Sequence, residues 1–359
     1  IMFYALNLMG AVPNMVHPLS SQGEIECYLN ISESKGMLVL DAFYPKVAAI
    51  RQNTPHLQHI ITASIATELG PVKRVGFQLT KGRRIKKIPA DAPVTPWKDF
   101  LKKGDSWQGP YVVERQGADL GAILYSGGTS GITKGILLSN LNFNALAMQT
   151  AAAGQTMRPG QKMLSIMPIF HGFGLGVGIH TILLEGGTCH LVPQFSVDTY
   201  AKLLRSVQPN YIAGVPTLYE ALLRNKRMKK VDLSCLIGVF SGGDTLSTEL
   251  KKKVDAFLRA HGAKIQLREG YGLTECVTAS CRILCVGLGL GFEGGLDLFP
   301  IHRFFLREGI LSAGFVEQFL EGIGIGVARI VVDCRSAFDQ VEARAGFLVN
   351  PEWRCIQIH

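Results

Sequence analysis

The chain has 359 residues, 47% of them hydrophobic and 18% charged, with a formal charge of +9. That composition excludes a disordered chain and allows two or three domains or one large α/β body. The positive charge draws phosphates, nucleic acid or acidic lipid without choosing among them.

The opening residues 1–16 are apolar but interrupted by Asn7, Pro13 and Asn14 and lack a basic leader, so they do not read as a signal peptide. A helical run is already under way at Ile1, which gives the expectation that the chain begins inside a domain. Residues 2–10 read as helix, 11–16 as extended chain, 21–34 as a helix behind a Ser-rich start, and 37–40 and 60–64 as strands. Such alternation predicts layered α/β structure with a mainly parallel sheet.

Residues 72–103 turn basic, with Lys81, Arg83, Arg84, Lys86 and Lys87 close together. They read as a solvated excursion or as a patch for anionic lipid headgroups. No aromatic residue is interleaved with that cluster, so nucleic acid is not an expected partner. Strands follow at 122–125, 162–167, 188–192, 211–214, 236–240 and 264–267. Helices follow at 140–153, 197–207, 217–225 and 247–261.

From Arg282 to the end the chain has no Lys, Thr, Tyr or Met, and its seven basic Lys/Arg residues are all Arg. A composition break of this kind points to a fusion or to a change of reading frame. The expected organisation is therefore a partial first α/β subdomain at 1–115, a phosphate-loop core at 116–281 and an atypical Gly/Arg-rich tail at 282–359. Eight scattered cysteines suit a reducing cytoplasm. Cys276, Cys281 and Cys285 are close in sequence but lack a Cys-x-x-Cys pair or a His partner, and read as ordinary thiols rather than a zinc site. No apolar run of about 18 residues is present to span a bilayer.

The strongest chemical signal is Tyr125-Ser126-Gly127-Gly128-Thr129-Ser130-Gly131-Ile132-Thr133-Lys134-Gly135. Its glycines let backbone N–H groups converge on an anion. Ser126, Thr129, Ser130 and Thr133 add hydroxyl donors, and Lys134 adds a point charge. A flexible Gly-rich turn would not need four hydroxyls and a lysine behind a buried strand. The P-loop alternative fails on spacing, because Thr133 precedes Lys134 and Gly135 follows it.

This segment resembles the phosphate loop of the ANL adenylate-forming superfamily, which includes acyl-CoA synthetases, luciferases and adenylation domains. Four further segments are similar to its motifs, in the same order. Pro168-Ile169-Phe170-His171-Gly172-Phe173-Gly174 resembles the aromatic-His motif on the acid side, and Gly214-Val215-Pro216-Thr217 the mid-domain turn. Ser241-Gly242-Gly243-Asp244 resembles the adenine-side loop, and Tyr271-Gly272-Leu273-Thr274-Glu275 the nucleotide motif. The likeness extends from Ile1 to about Cys281.

The resemblance implies an ANL-type N-terminal domain of mainly parallel sheets flanked by helices, incomplete at both ends. It implies ATP, Mg²⁺ and CoA as reactants and a small carboxylic acid as substrate. Ser126, Gly127, Gly128, Thr129, Ser130, Gly131, Thr133 and Lys134 would hold the β- and γ-phosphates, Thr274 the α-phosphate, and Glu275 the Mg²⁺. Tyr271 and Gly272 would lie at the adenine, with Gly242, Gly243 and Asp244 on its other edge. Lys134, His171, Thr274 and Glu275 would carry the catalytic roles, His171 as a wall of the acyl pocket or a contact of the carboxylate; His180 and His190 read as structural.

Two positions depart from the family loop, Gly127 where Ser is usual and Thr133 where Pro is usual. They remove a hydroxyl and some rigidity. Gly289, Gly291 and Gly294 fit Gly-x-Gly-x-x-Gly, yet a dinucleotide site needs a following helix and a later acidic residue, and Pro300 with poorly placed Glu308 and Glu317 argues against both.

The family completes its site with a ribose-binding aspartate, a hinge and a C-terminal lysine. No residue after Cys281 matches that aspartate's motif, and the last lysine is Lys264. The expectation is weak Mg·ATP binding with little thioester formation. A carrier-protein adenylation partner and a non-catalytic remnant remain as alternatives. The apolar, Gly-rich residues 173–179 and the basic excursion favour a fatty acid, with cytoplasmic residence and peripheral membrane contact.

Overall fold

The computed structural model describes residues 1–127, 133–154, 157–192, 195–279, 281–285 and 294–298. They pack as two units. One is Ile1–Gln116 with Gly121–Ile136; the other is Gly117–Leu120 with the residues from Leu137 onward.

The first unit runs α1 (Met2–Leu8), β1 (Asn14–Met15), α2 (Gln22–Ile31), β2 (Gly36–Leu40), α3 (Tyr44–Ile50), β3 (His59–Ala63), α4 (Pro71–Leu79), β4 (Thr95–Pro96), α5 (Trp97–Asp105) and β5 (Leu120–Ser126), reaching the start of β6 (Lys134–Ser139). The start of α2 is set by a capping box: Glu24 N donates to Ser21 Oγ at 3.2 Å, and Ser21 N donates to the Glu24 carboxylate at 2.7 Å. Those hydrogen bonds hold the Glu24 carboxyl below its usual pKa.

β2, β3 and β4 form a parallel sheet, with Gly36 to Leu40 in register with His59 to Ala63. Ile25, Leu29, Val39, Val47, Ile50 and Ile60 close its core. A second sheet has the order β1-β5-β6, with β1 parallel to β5. The basic excursion holds α4, β4 and α5, and neither helix buries a residue.

In the second unit, α6 (Asn140–Gly154) leads to β7 (Lys162–Ser165). A π-helix, Phe173–Thr181, continues into α7 (Ile182–Leu184) and β8 (Thr188–Leu191). Then come α8 (Val197–Val207), β9 (Tyr211–Gly214), α9 (Pro216–Arg224), β10 (Gly238–Ser241), α10 (Thr248–Ala260), β11 (Leu267–Tyr271), β12 (Cys281–Cys285) and β13 (Gly294–Leu298). These strands form one sheet in the order β13-β12-β11-β10-β9-β7-β8. Its members from β7 to β11 are parallel, and β12 and β13 add an antiparallel edge. Tyr200 and Leu204 of α8, Leu218 and Leu222 of α9, and Val254 and Leu258 of α10 meet Ile212, Val239 and Leu267 of the sheet in one core. The parallel α/β class expected from sequence is the class observed.

Two local expectations are corrected. Lys134 and Gly135, read as loop, begin β6, because the apolar residues 136–138 continue an extended strand before the Asn140 helix start. The strand expected at 264–267 runs instead at Leu267–Tyr271, since pairing with β10 aligns Leu267 with Val239 and Glu269 with Ser241. Residues 173–179 belong to a π-helix whose glycines serve close packing. A Cβ on Gly176 would sit 2.7 Å from Leu146, and one on Gly178 2.5 Å from Ser165 Oγ.

The Gly-x-Gly-x-x-Gly match also lacks its helix: Gly294 opens β13, which pairs antiparallel with β12. Gly289 and Gly291, and nearly all of the unusual tail, lie outside the described residues. No described helix is long and apolar enough to cross a membrane.

Candidate nucleotide-binding site

In the first unit, Tyr125 and Ser126 end β5 and Lys134 opens β6, so the Gly/Ser/Thr-rich segment is the connection between two strands. Gly128, Thr129, Ser130 and Gly131 lie outside the described residues. Gly127 and Lys134 are exposed, and Ser126 and Thr133 half-buried. The end of β5 is anchored by Tyr125. Its ring stacks on Tyr28 with centroids 3.9 Å apart, and its hydroxyl donates to the Tyr28 carbonyl at 3.2 Å. Burial pushes this phenol up to about 12. A Cβ on Gly135 would lie 3.3 Å from the same ring, so the root of β6 is packed too.

In the second unit the strand order places four motifs on one edge. β7 is followed by the segment containing Pro168 to Gly174, and β9 by Val215-Pro216-Thr217. β10 is followed by Gly242-Gly243-Asp244, and β11 by Gly272-Leu273-Thr274-Glu275. All four strands are parallel, so all four motifs leave the same carboxyl edge. The chain steps from β7 to β8 on one side, then crosses back to β9, β10 and β11 on the other. Open α/β sheets bind ligands at the carboxyl edge where strand order reverses in this way.

Glycines let these segments touch. Gly242 N donates to the Gly214 carbonyl at 3.1 Å. A Cβ on Gly242 would fall 3.0 Å from the Gly270 carbonyl and 3.6 Å from the Phe173 ring. On Gly172 it would overlap the Val277 carbonyl, and on Gly272 the Thr278 carbonyl. Residues 172–173, the turn at Gly242 and residues 270–278 are thus brought into close contact, which only glycine permits. Gly243 has φ +78°, a left-handed conformation that suits glycine. Val277 adopts φ 65° and ψ −50° while buried, a strained state for a β-branched residue.

His171 N donates to the Pro168 carbonyl at 3.2 Å, and Phe173 N donates to His171 Nδ1 at 3.2 Å. Accepting at Nδ1 places the ring proton on Nε2 in the neutral form. The ring keeps an exposed face, yet partial desolvation lowers its pKa from the usual imidazole value. His180 is lowered by burial as well, and its Nε2 lies 2.9 Å from Asn144 Oδ1.

Tyr271 is half-buried at the end of β11, and Gly272 follows it, exposed. Thr274 is buried and Glu275 exposed on the next turn. Asp244 is exposed and accepts from Thr245 N at 2.7 Å. The sequence reading passed over Glu269. From β11 it accepts from Leu246 N at 3.3 Å, bracing the loop that holds Gly242 to Asp244, and burial raises its pKa. An acidic residue two positions before the Tyr-Gly-Leu-Thr-Glu motif was the available signal. An exposed carboxylate such as Glu275 fits Mg²⁺, which takes one or two carboxylates together with phosphate oxygens. Among the described residues no group of three or more His, Cys, Asp or Glu side chains is arranged to hold a metal by itself.

The family model described as AMP-binding enzyme matches residues 1–291. The chain belongs to the AMP-binding enzyme family. It is 28% identical over 280 residues to the long-chain-fatty-acid–CoA ligase of Bacillus subtilis (strain 168), covering 77% of this chain and 48% of that protein. It is 24% identical over 298 residues to a probable 4-coumarate–CoA ligase 1 of Dictyostelium discoideum, covering 82% and 51%. In fold it is similar to the anthranilate CoA ligase AuaEII solved with anthranoyl-AMP, at a TM-score of 0.62, 20% identity, and coverage of 78% of this chain and 48% of that one. It is likewise similar to the long-chain-fatty-acid-CoA ligase FadD1 from Archaeoglobus fulgidus, at a TM-score of 0.60, 19% identity, and coverage of 78% and 51%. The chain spans about half the length of the curated relatives it matches.

Proposed function

We propose that this chain is the nucleotide- and acid-binding part of an acid–thiol ligase of the acyl-CoA synthetase type. The observation that carries this reading is the single carboxyl edge, at a reversal of strand order, from which four family motifs emerge. In the proposed reaction a carboxylate oxygen attacks the α-phosphorus of ATP. The bond to the β-phosphate breaks, and pyrophosphate leaves with the electron pair. The CoA thiol then attacks the acyl carbonyl of the adenylate and AMP departs, the thiol proton passing to solvent.

Such chemistry rests on positioning and charge neutralisation. Ser126, the hydroxyls at Thr129, Ser130 and Thr133, and Lys134 hold the β- and γ-phosphates in this reading. Thr274 contacts the α-phosphate, Tyr271 and Gly272 lie at the adenine, and Gly242, Gly243 and Asp244 border its other edge. Neutral His171 offers an Nε2–H to the acid. Glu275 would hold Mg²⁺, which when bound supplies neutralising charge to the phosphate oxygens.

A fatty acid is the favoured substrate, supported by the names of the relatives that match at 28% identity. The aryl-acid names among the other relatives keep that class as the alternative acid, and a carrier-protein thiol is the alternative acceptor. Cytoplasmic residence with peripheral contact to anionic lipid is part of the reading. Val72, Val75 and Leu79 of α4 are 86%, 55% and 66% exposed, just ahead of Lys81, Arg83 and Arg84.

No lysine follows Lys264 in these 359 residues. Weak Mg·ATP binding with little thioester formation is the expected behaviour. Calorimetric titration with Mg·ATP, followed by pyrophosphate exchange and CoA-thioester assays over fatty and aryl acids, tests it. Absence of Mg·ATP binding overturns the nucleotide reading, and full thioester turnover overturns the expected deficit.

A further inference from the structure

The second unit carries a concentrated basic groove that the motifs at the carboxyl edge do not use. Lys202 and Arg205 of α8 face Lys226, Arg227, Lys229 and Lys230 of the turn after α9 across a groove of about 450 Å³. That turn lies on the return path from α9 to β10, whereas the motifs leave the opposite ends of the strands.

The cations are held on a fixed frame. Met228 and Val231 are 1% and 2% exposed and anchor the turn in the core. Asn225 caps it by accepting from Arg227 N at 2.9 Å, and Arg205 donates to the Arg227 carbonyl at 3.4 Å. Asp198 is the one carboxylate lining the groove, and it pairs with Arg227 at 3.3 Å. Six cations, two on α8 and four on the turn, face one carboxylate and repel one another, a repulsion that an entering anion relieves.

We infer that this groove is a binding site for a multiply charged phosphate group, carried either by a soluble polyphosphate or by an anionic lipid headgroup. Its volume lies in the range of small-ligand sites. Its lining has no aromatic side chain on which a nucleic-acid base could stack. The inference does not depend on the adenylation reading, since it uses none of that site's residues.

The test uses the full chain with two probes: sodium tripolyphosphate by calorimetry, and phosphatidylcholine vesicles with and without phosphatidylglycerol by co-sedimentation. A variant carrying Lys226→Gln, Lys229→Gln and Lys230→Gln is compared with an equal-charge control on exposed sites elsewhere, Lys252→Gln, Arg259→Gln and Lys264→Gln. The expected result is a loss of about a hundredfold in affinity for at least one probe in the groove variant, at about 1 kcal/mol per lysine. The control should lose several-fold at most. Loss confined to tripolyphosphate assigns a soluble source, and loss confined to anionic vesicles assigns a headgroup.

Asp198→Asn, which deletes the groove's carboxylate, should tighten binding several-fold and stands in if the triple variant fails to fold. The gain in ATP affinity on adding Mg²⁺, measured alongside, should not change in the groove variant, which separates this site from the nucleotide site. Equal losses in the groove variant and its control, or no tightening in Asp198→Asn, overturn the inference.

Discussion

Replacing Gly172 by alanine probes how the carboxyl edge is assembled. Its added Cβ would overlap the Val277 carbonyl and lie 3.3 Å from Thr278 Cβ. The obstacle is backbone, so no flexible side chain can swing aside. The facing turn has little room to yield, because Val277 is already at φ 65°. Overpacking against a well-packed region costs about 1–3 kcal/mol, and a backbone obstacle places this site near the upper end. For a unit of this size that corresponds to a fall in Tm of roughly 5–10 °C.

Relief of the overlap requires the chain around His171 to separate from the segment following Thr274 and Glu275. Mg·ATP affinity should therefore drop about tenfold, equivalent to ~1.4 kcal/mol. Calorimetric melting and Mg·ATP titration read both effects. Gly76→Ala on α4 is the matched control. Nothing lies within 4 Å of its added Cβ, so it should stabilise by about 0.5–1 kcal/mol through helix propensity. A Gly172→Ala protein that melts and binds Mg·ATP like the parent would refute the packing of these two motifs against each other.

Asp255→Ala should destabilise the second unit by about 2–3 kcal/mol in urea unfolding. Its carboxylate accepts from Leu267 N and Lys251 Nζ at 2.7 Å each and joins α10 to the start of β11. Asp255→Asn, which keeps an acceptor for Leu267 N, should cost less than the alanine; equal costs would exclude that backbone bond as the main contribution. His171 and His180 have lowered pKa values, so their stability contribution is complete above pH 6.5 and is lost as pH falls from there toward the depressed values. Replacing both with Gln should flatten the Tm-against-pH curve in that window, and an unchanged slope would contradict the partial desolvation of the two rings. Glu275→Gln should leave affinity for metal-free ATP within about twofold and remove most of the gain on adding Mg²⁺, roughly tenfold or more. Equal Mg²⁺ enhancement in parent and variant would remove Glu275 from the metal's contacts.

The legible parts of this protein were those written in local pattern. The period of apolar residues located α8 and β9 at their observed bounds, and α10 within a residue at each end. The Ser-rich start at 20–21 signalled the beginning of α2. The motif residues were legible because their chemistry is dense: hydroxyls, a lysine and glycines in one loop, and Tyr, Thr and Glu in one turn. What local pattern missed was decided by pairing. Lys134 looked like the end of a loop until its strand found a place beside β5. β11 slid later in the chain because register against β10 outweighed its own apolar preference at 264–267. Glu269 went unnoticed because its role depends on Leu246, 23 positions away.

The glycines of 173–179 divide the two levels most clearly. In sequence they are permissive residues in an apolar run that favours a fatty acid. In the fold they are contact points that bring Leu146, Ser165 and the Pro168 carbonyl against a π-helix.

By itself the sequence determined the class of fold, the alternation of strands and helices from β7 to α10 and which residue types could meet a triphosphate, because periodicity and motif chemistry are local properties. Only the tertiary structure decided that four separate motifs share one edge, that Gly172 and Gly272 carry that assembly, and that six cations gather across a groove away from it. Those facts depend on strand order and on which backbones approach one another, and neither is encoded in any single stretch of chain.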